Sequence, residues 1–251
     1  MSPSDLDYSK SPVFFVGTSG WTYDHWKGRF YPPDLPQPCW FDFYASRFSS
    51  VEVNATFYRT FQDQTYLKWR ERAPEGFGYV LKAPRLITHR KYLVDVGEDI
   101  HRFYQSCQLL QDKFEVILLQ VAPNIGYDLE RLKKALGAFP DPTRVAVEFR
   151  RSEWLNPQTV NLLSEYGVIL CNVDSPRQKL TSYLTSSRAY LRLHGRKHWY
   201  SYNYSNDELR EIADLAQELV RKGAERVYIF FNNDFEGYAP ANALAIKTIL
   251  A

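Results

Sequence analysis

Eight short apolar runs, each ending in one to three polar or charged residues, recur along this chain and restrict its folds more than any other feature. They are Val13–Gly17 into Thr18 and Ser19, Ser50–Val53 into Asn54, Phe77–Leu81 into Lys82, and Glu115–Leu119 into Gln120. There follow Arg144–Val147 into Glu148 and Arg150, Val168–Cys171 into Asn172 and Asp174, Ala189–Leu193 into His194, and Arg226–Phe231 into Asn232, Asn233 and Asp234. Segments of helical spacing lie between them, and strands alternating with helices imply βαβ units and a parallel sheet. Eight such units in 251 residues match a (β/α)₈ barrel, which typically takes about 250. The expected fold is therefore α/β, a single-domain TIM-like (β/α)₈ barrel with parallel strands over 13–251. Residues 1–12 read as a flexible leader.

The competing architecture, an open doubly wound sheet, usually carries a glycine-rich phosphate turn after its first strand. Here that turn is G-T-S-G-W, without the G-x-G-x-x-G arrangement, and no P-loop occurs. The clearest helix runs from Asn206 to Lys222, with Ser205 as its N-cap and Gly223 after its last turn. Further helices are expected at Trp40–Phe48, Gln64–Arg72, Gly97–Lys113, Leu129–Phe139, Pro157–Tyr166 and Pro240–Leu250, whereas Pro176–Ser187 reads as a short helix or loop.

Charge and cysteine content narrow the function classes. The chain has 31 basic and 29 acidic residues, for +2 overall, so no global field draws it to nucleic acid or an anionic membrane, and any anion preference must be local. Cys39, Cys107 and Cys171 are odd in number, widely spaced and form no C-x-x-C, which argues against a disulfide framework or zinc cluster and fits a reducing cytoplasm. No segment reaches the roughly 18 apolar residues of a membrane span.

In a barrel of this type the carboxyl ends of the strands form the mouth where active sites sit, so the polar run ends are the functional candidates. Side chains two apart share a face of a strand. Glu52 thus pairs with Asn54, Glu148 with Arg150, Asn172 with Asp174, Arg192 with His194, and Asn232 with Asp234. Such charges cost several kcal/mol per unpaired ion if buried, so they must be paired, hydrated or bound to ligand. A self-compensating network of ion pairs that only caps the barrel is the plain alternative to a working site.

Three chemical assignments suit the set. Lys82, Arg150 and Arg192 can clamp phosphate or carboxylate, while Glu148, with Glu52 behind it, serves as base and His194 as acid or electrophile. Alternatively Glu52, Glu148, Asp174, His194 and Asp234 could hold a divalent metal, although no compact H-x-E or H-E-x-x-H spacing supports that reading and no cofactor is expected. The large group of barrel glycosidases is disfavoured because the fourth and seventh run ends present Gln120 and His194 rather than a pair of Glu. Trp21, Tyr23, Trp26, Trp154, Trp199 and Tyr200 follow strand ends or sit in early loops, where they could stack on a sugar or a base or simply pack. Arg85–Lys91 is a basic stretch that could receive an anion or be a solvated face, and His101 and His198 read as surface residues.

The same residues carry a family resemblance. G-T-S-G-W-T-Y-D-H-W-K-G-R-F-Y-P (Gly17–Pro32), F-S-S-V-E-V-N-A-T-F-Y-R (Phe48–Arg59), K-A-P-R-L-I-T-H (Lys82–His89), V-E-F-R (Val147–Arg150) with Trp154, R-L-H-G (Arg192–Gly195) and F-F-N-N-D-F-E-G-Y-A (Phe230–Ala239) occur in order along nearly the whole chain. In these stretches it resembles the domain of unknown function 72 family, also called YecE-like, which is similar in fold to TIM barrels. The resemblance implies that Trp21, Glu52, Asn54, Phe57, Tyr58, Lys82, Arg85, His89, Glu148, Arg150, His194, Asn232, Asn233 and Asp234 occupy motif positions, without supplying their roles. Two departures are Arg151, where the family often has His, and Ala122, where it often has Pro.

The expected function is that of an enzyme acting on a small anionic, phosphate- or carboxylate-bearing substrate by acid–base or hydrolytic chemistry. Catalysis is expected from Glu148, His194, Glu52 and Asp234. Lys82, Arg85, Arg150, Arg192, Asn54, Asn232, Trp21, Tyr58 and His89 are expected to bind substrate. A non-catalytic module for nucleic acid or a metabolite, and a metal-dependent hydrolase, are the alternatives.

Overall fold

The computed structural model describes residues 13–251, so the leader expected over 1–12 lies outside the described residues. Eight parallel strands, β1 (Val13–Thr18), β2 (Ser50–Val53), β3 (Gly78–Lys82), β4 (Phe114–Gln120), β5 (Val145–Glu148), β6 (Ile169–Asp174), β7 (Arg188–Leu193) and β8 (Arg226–Phe231), form one sheet in the order β1-β8-β7-β6-β5-β4-β3-β2. Each apolar run of the sequence became a strand because each is buried on both faces, one against the barrel interior and one against the helical layer. The interior holds Phe15, Val80, Val116, Leu118, Ala146, Ile169, Tyr190, Tyr228 and Phe230. The outer core packs the opposite strand faces against helices α1 (Trp40–Ala45), α2 (Ala55–Tyr58), α3 (Asp63–Arg72), α4 (Gly97–Gln108), α5 (Leu129–Leu136), α6 (Pro157–Glu165), α7 (Asn206–Arg221) and α8 (Tyr238–Leu250).

Local chemistry sets several of these boundaries. Helix α7 starts at a full capping box, with Ser205 Oγ accepting from the Glu208 N–H and the Glu208 carboxylate accepting from the Ser205 N–H. Asp128 and Asn156 cap α5 and α6 with their side chains, and Pro157 occupies the first turn of α6. Helix α8 begins at Tyr238, two residues before the expected Pro240, immediately after Gly237 in the left-handed region. The 176–187 segment contains no helix. No helix among the described residues is long and apolar enough to cross a membrane.

The seam between β1 and β2 is built differently from the rest of the sheet. Only one parallel bridge, Ser19 to Glu52, joins the two strands, together with a bond from the Gly20 N–H to the Glu52 carbonyl at 2.8 Å. Below it the Tyr44 hydroxyl, delivered from α1, takes the place of a ladder rung. It accepts from the Thr18 N–H at 2.9 Å and donates to the Ser50 carbonyl at 3.0 Å. The strands meet so closely at this level that a Cβ on Gly17 would stand 2.1 Å from the Ser50 carbonyl oxygen, which explains the glycine.

Removing the Tyr44 hydroxyl strips the buried Thr18 N–H of its acceptor at almost no cost in apolar packing. Tyr44→Phe should therefore destabilise the fold by about 1–3 kcal/mol. Urea unfolding checks this, and an unchanged midpoint would show that the hydroxyl does not close the seam.

Candidate functional site

At the carboxyl end of the strands the interior changes from apolar to polar. Strand alternation, which places Val80, Leu118, Ala146 and Tyr190 inside, also turns Lys82, Gln120, Glu148 and Arg192 inward two residues later. Arg192 is the hub. Its Nη2 and Nε donate to Glu52 at 2.6 and 2.9 Å, and its Nη1 donates to Glu148 Oε2 at 3.0 Å. Glu52 also accepts from Ser19 Oγ and from the Tyr190 hydroxyl, both at 2.6 Å. Glu148 Oε1 accepts from Gln120 at 2.9 Å and from Arg150 Nε at 2.7 Å, with His194 Nε2 at 3.4 Å.

These partners decide the protonation states. Burial opposes charge on Glu52, but Arg192, Ser19 and Tyr190 outweigh it and hold the carboxyl below its ordinary range. Glu148 is held well below that range against the same penalty, by Arg150, Arg192 and His194. His194 is pushed down to about 4 by burial and by the neighbouring Arg192, against the pull of Glu148, so its imidazole is neutral at pH 7. That differs from the role of acid expected for His194, which needs a ring that holds an extra proton near neutrality. The ring is fixed on its other edge by the Asn232 amide, 3.0 Å from Nδ1. The glycine of R-L-H-G is also explained: Gly195 has φ +106°, and a Cβ there would meet the His198 carbonyl and Tyr202 at 2.5 Å.

Above this layer lies a cavity of about 630 Å³. Of the expected binding residues, Lys82, Arg85, Arg150, Arg192, Asn54, Asn232, Tyr58 and His89 all line it, as does Asp234 from the expected catalytic set. Arg85 and His89 reach it together because they lie at the two ends of one wide helical turn, in which Ile87 and Thr88 are buried. The neighbouring Lys91 turns away to pair with Asp99. Trp21 lies outside this cavity, in an adjoining one, packed edge-on against Phe41. Glu52, Glu148 and His194 are fully buried beneath the floor and do not line the cavity.

Lys82 stands out among the lining groups. It is only 8% exposed, its ammonium lies 4.3 Å from the Phe57 ring centroid, and no carboxylate pairs with it among the described residues. Burial, and then Arg192 and Arg150, push its pKa down to about 7 although Glu148 and Glu52 pull upward. Asp234 is shifted the other way, upward, mainly by burial. Its backbone carbonyl accepts from the Trp26 indole at 2.9 Å, which ties the first loop to the end of β8.

Two expected groups do not join the site. Asn172 and Asp174 point out of the barrel because β6 turns Cys171 and Val173 inward. Asn172 holds the following loop through Thr181 and Tyr183, and Asp174 pairs with Arg196 at 3.1 Å. Without Asp174, and with Glu52 and Glu148 committed to guanidiniums, the set expected for a metal is not assembled. Among the described residues no three His, Cys, Asp or Glu side chains gather as one. Trp26 and Trp154 are core residues, while Tyr200 lines the cavity and Trp199 carries the Arg150 guanidinium at 5.0 Å. His101 and His198 are exposed, as expected, and Arg151 pairs with Glu153 away from the cavity. Tyr190 belongs to the site although it ends no run; its signal in the sequence is a hydroxyl two residues before Arg192 on the same strand face. His25, in the first loop, lies 3.9 Å from the Asp234 carboxylate and has no such signal.

The pattern of the family described as "Protein of unknown function DUF72" matches residues 15–251. The UPF0759 protein YunF of Bacillus subtilis (strain 168) is 27% identical over 95% of each chain. The crystal structure of a DUF72 family protein from Thermotoga maritima MSB8 superposes with a TM-score of 0.87 at 29% identity, covering 95% of this chain and 99% of that one. A DUF72 family protein from Enterococcus faecalis V583, at 23% identity and 95% coverage of both chains, has the same fold, with a TM-score of 0.81.

Arg192→Met leaves two carboxylates buried without their shared cation and should cost about 3–5 kcal/mol at pH 7. In the intact protein both folded pKa values are depressed, so their stabilisation is present above the unfolded value of 4.5 and lost as pH falls through the folded values. In the variant the carboxyls prefer protonation, so the gap to the intact protein should narrow on going from pH 7 to pH 4.5. Urea unfolding at the two pH values measures it. A gap that widens with acid would refute the pairing.

Proposed function

Because the chain belongs to the DUF72 family, whose description names no reaction, we propose from the mouth itself that it is an enzyme acting on a small anion by acid–base chemistry. One observation carries this reading: the deep carboxylates are consumed by guanidiniums, and the groups left facing the cavity are mostly donors. Two acids, Glu52 and Glu148, offset two bases, Arg192 and Arg150, within the buried layer. Lys82 and Arg85 then face a space where Asp234 is the acidic group on the lining. Arg150 uses Nε on Glu148, which leaves the rest of its fork for a phosphate or carboxylate. Confinement of these cations to one cavity, on a chain of +2 overall, favours a small anion over a nucleic-acid strand.

Roles follow from depth. Glu52, Glu148 and His194 act as positioning residues, fixing Arg192 and Arg150 against the floor. Among the groups that line the cavity, burial and the neighbouring cations push His89 down, whereas burial shifts Lys82 and Asp234 toward each other, one down to about 7 and the other upward, which suits them to exchange protons with a ligand. Near pH 7 Lys82 is divided between amine and ammonium, the condition in which a group can both take and return a proton.

Sulfate keeps its charge across neutral pH and therefore reports on the protein alone. Its affinity, read by calorimetry, should fall as pH rises through 7, because Lys82 loses its charge there. In Lys82→Met the fall should vanish, while Arg150→Met should weaken sulfate roughly 10- to 100-fold at any pH. Affinity independent of both side chains would sink the anion reading.

A stability effect of opposite sign accompanies it. The folded pKa of Lys82 lies below its unfolded value of 10.5, so the unfolded chain binds the extra proton between about 7 and 10.5 and this residue makes the fold more stable as pH rises there. Lys82→Met, which removes the buried amine, should raise the melting temperature at pH 7 even as it impairs binding. A lower melting temperature would show that the ammonium is satisfied where it stands.

A further inference from the structure

The cleft does not end at the charged cavity. Beyond a wall formed by Tyr23, Asn54 and Tyr58, which line both spaces, it continues into a second cavity of about 400 Å³. Its character differs: Trp21, Phe61 and Trp69 are among the lining residues, and Arg59 is the charged one. Trp69 meets Trp21 nearly at right angles, with ring centroids 6.3 Å apart, and meets Phe61 at 5.1 Å, while Tyr79 and Tyr66 pack on it from the core side, so the aromatic lining is held rigidly in place. Arg59, also on the lining, lies over Phe61 at 4.4 Å.

Two features of the dividing wall point to one ligand occupying both halves. The Asn54 amide oxygen is buried with no hydrogen-bond partner. The oxygen itself has no accessible surface, so it costs free energy as it stands and can pair with a ligand only if the amide turns toward the cavities that Asn54 lines. Tyr58, on the short helix that follows Asn54, is 70% exposed and stands where a ligand would pass from one cavity to the other.

We propose that the mouth takes a two-part ligand, a phosphate or carboxylate joined to a flat aromatic or heteroaromatic ring. The anion sits on Lys82, Arg85 and Arg150, and the ring enters the Trp21–Phe61–Trp69 half. Asn54 pairs with a polar group at the junction. This rests on the anion reading above and deepens it. A ring is favoured over an aliphatic chain because tryptophan faces and edges reward flat, polarisable partners beyond the area they bury. A short linkage suffices because the two cavities adjoin along the three residues they share.

The test compares inorganic phosphate, phenyl phosphate and glucose 6-phosphate on the full chain by calorimetry. Phenyl phosphate should bind at least about tenfold more tightly than inorganic phosphate, in keeping with one stacked ring. That ratio should collapse toward one in Trp69→Ala, and in Phe61→Ala should the first variant fail to fold. Equal affinities for phenyl and inorganic phosphate would overturn the two-part ligand and leave the anion reading standing. Glucose 6-phosphate binding more tightly than phenyl phosphate would overturn the aromatic assignment. Absence of binding by all three would sink both readings.

Discussion

One guanidinium, that of Arg192, holds the upper interior of this barrel in its arrangement. It reaches from β7 to carboxylates on β2 and β5, so a single side chain ties together three strands that are not neighbours in the sheet. Fully buried, it would be unaffordable alone, and so would either carboxylate. The surrounding hydroxyls and amides complete the coordination: Ser19 and Tyr190 on Glu52, Gln120 on Glu148. Chain segments more than 130 residues apart are thus obliged to meet in one geometry.

The dispersed family motifs make sense from this hub outward. V-E-F-R supplies one carboxylate and the arginine that shares it, R-L-H-G supplies the hub, its histidine and the glycine that lets the chain turn past Tyr202, and S-V-E-V-N supplies the second carboxylate and the orphaned amide. They read as separate signatures in sequence and as one connected object in space. Ionic satisfaction at the floor also determines what the mouth can do, since acids already bonded three or four times are poor bases and poor metal ligands.

Much of the fold was legible because every strand here is covered on both sides, which makes it a mainly apolar run whose polar end marks the rim, even where Glu52 or Arg192 interrupts it. Helix α7 was legible to its cap because Ser205 and Glu208 stand at the spacing that satisfies both free N–H groups. Face assignment at β6 was not legible. A two-residue repeat says that Asn172 and Asp174 share a side, yet inner and outer sides look alike when Cys171 and Val173 can fill either. Depth was also hidden. Glu148 and Lys82 both end apolar strands, but only packing reveals that the first lies beneath a floor and the second above it. Tyr44 left no signal at all, because a tyrosine in an amphipathic helix reads as core, and its use as a rung depends on how closely β1 approaches β2.

That rung has a bearing on motion. Every other junction in the sheet is made by paired backbone, with a register shift in β3–β4 and two paired residues in β5–β6, whereas the β1–β2 junction rests on a side chain and a single bridge. The loop that carries Trp21 and Tyr23 leaves from the top of β1, and the segment that carries Asn54 and Tyr58 leaves from the top of β2. Parting of the two strands therefore separates the two walls of the aromatic recess. The one junction held by a side chain is thus also the junction from which both walls of that recess depart.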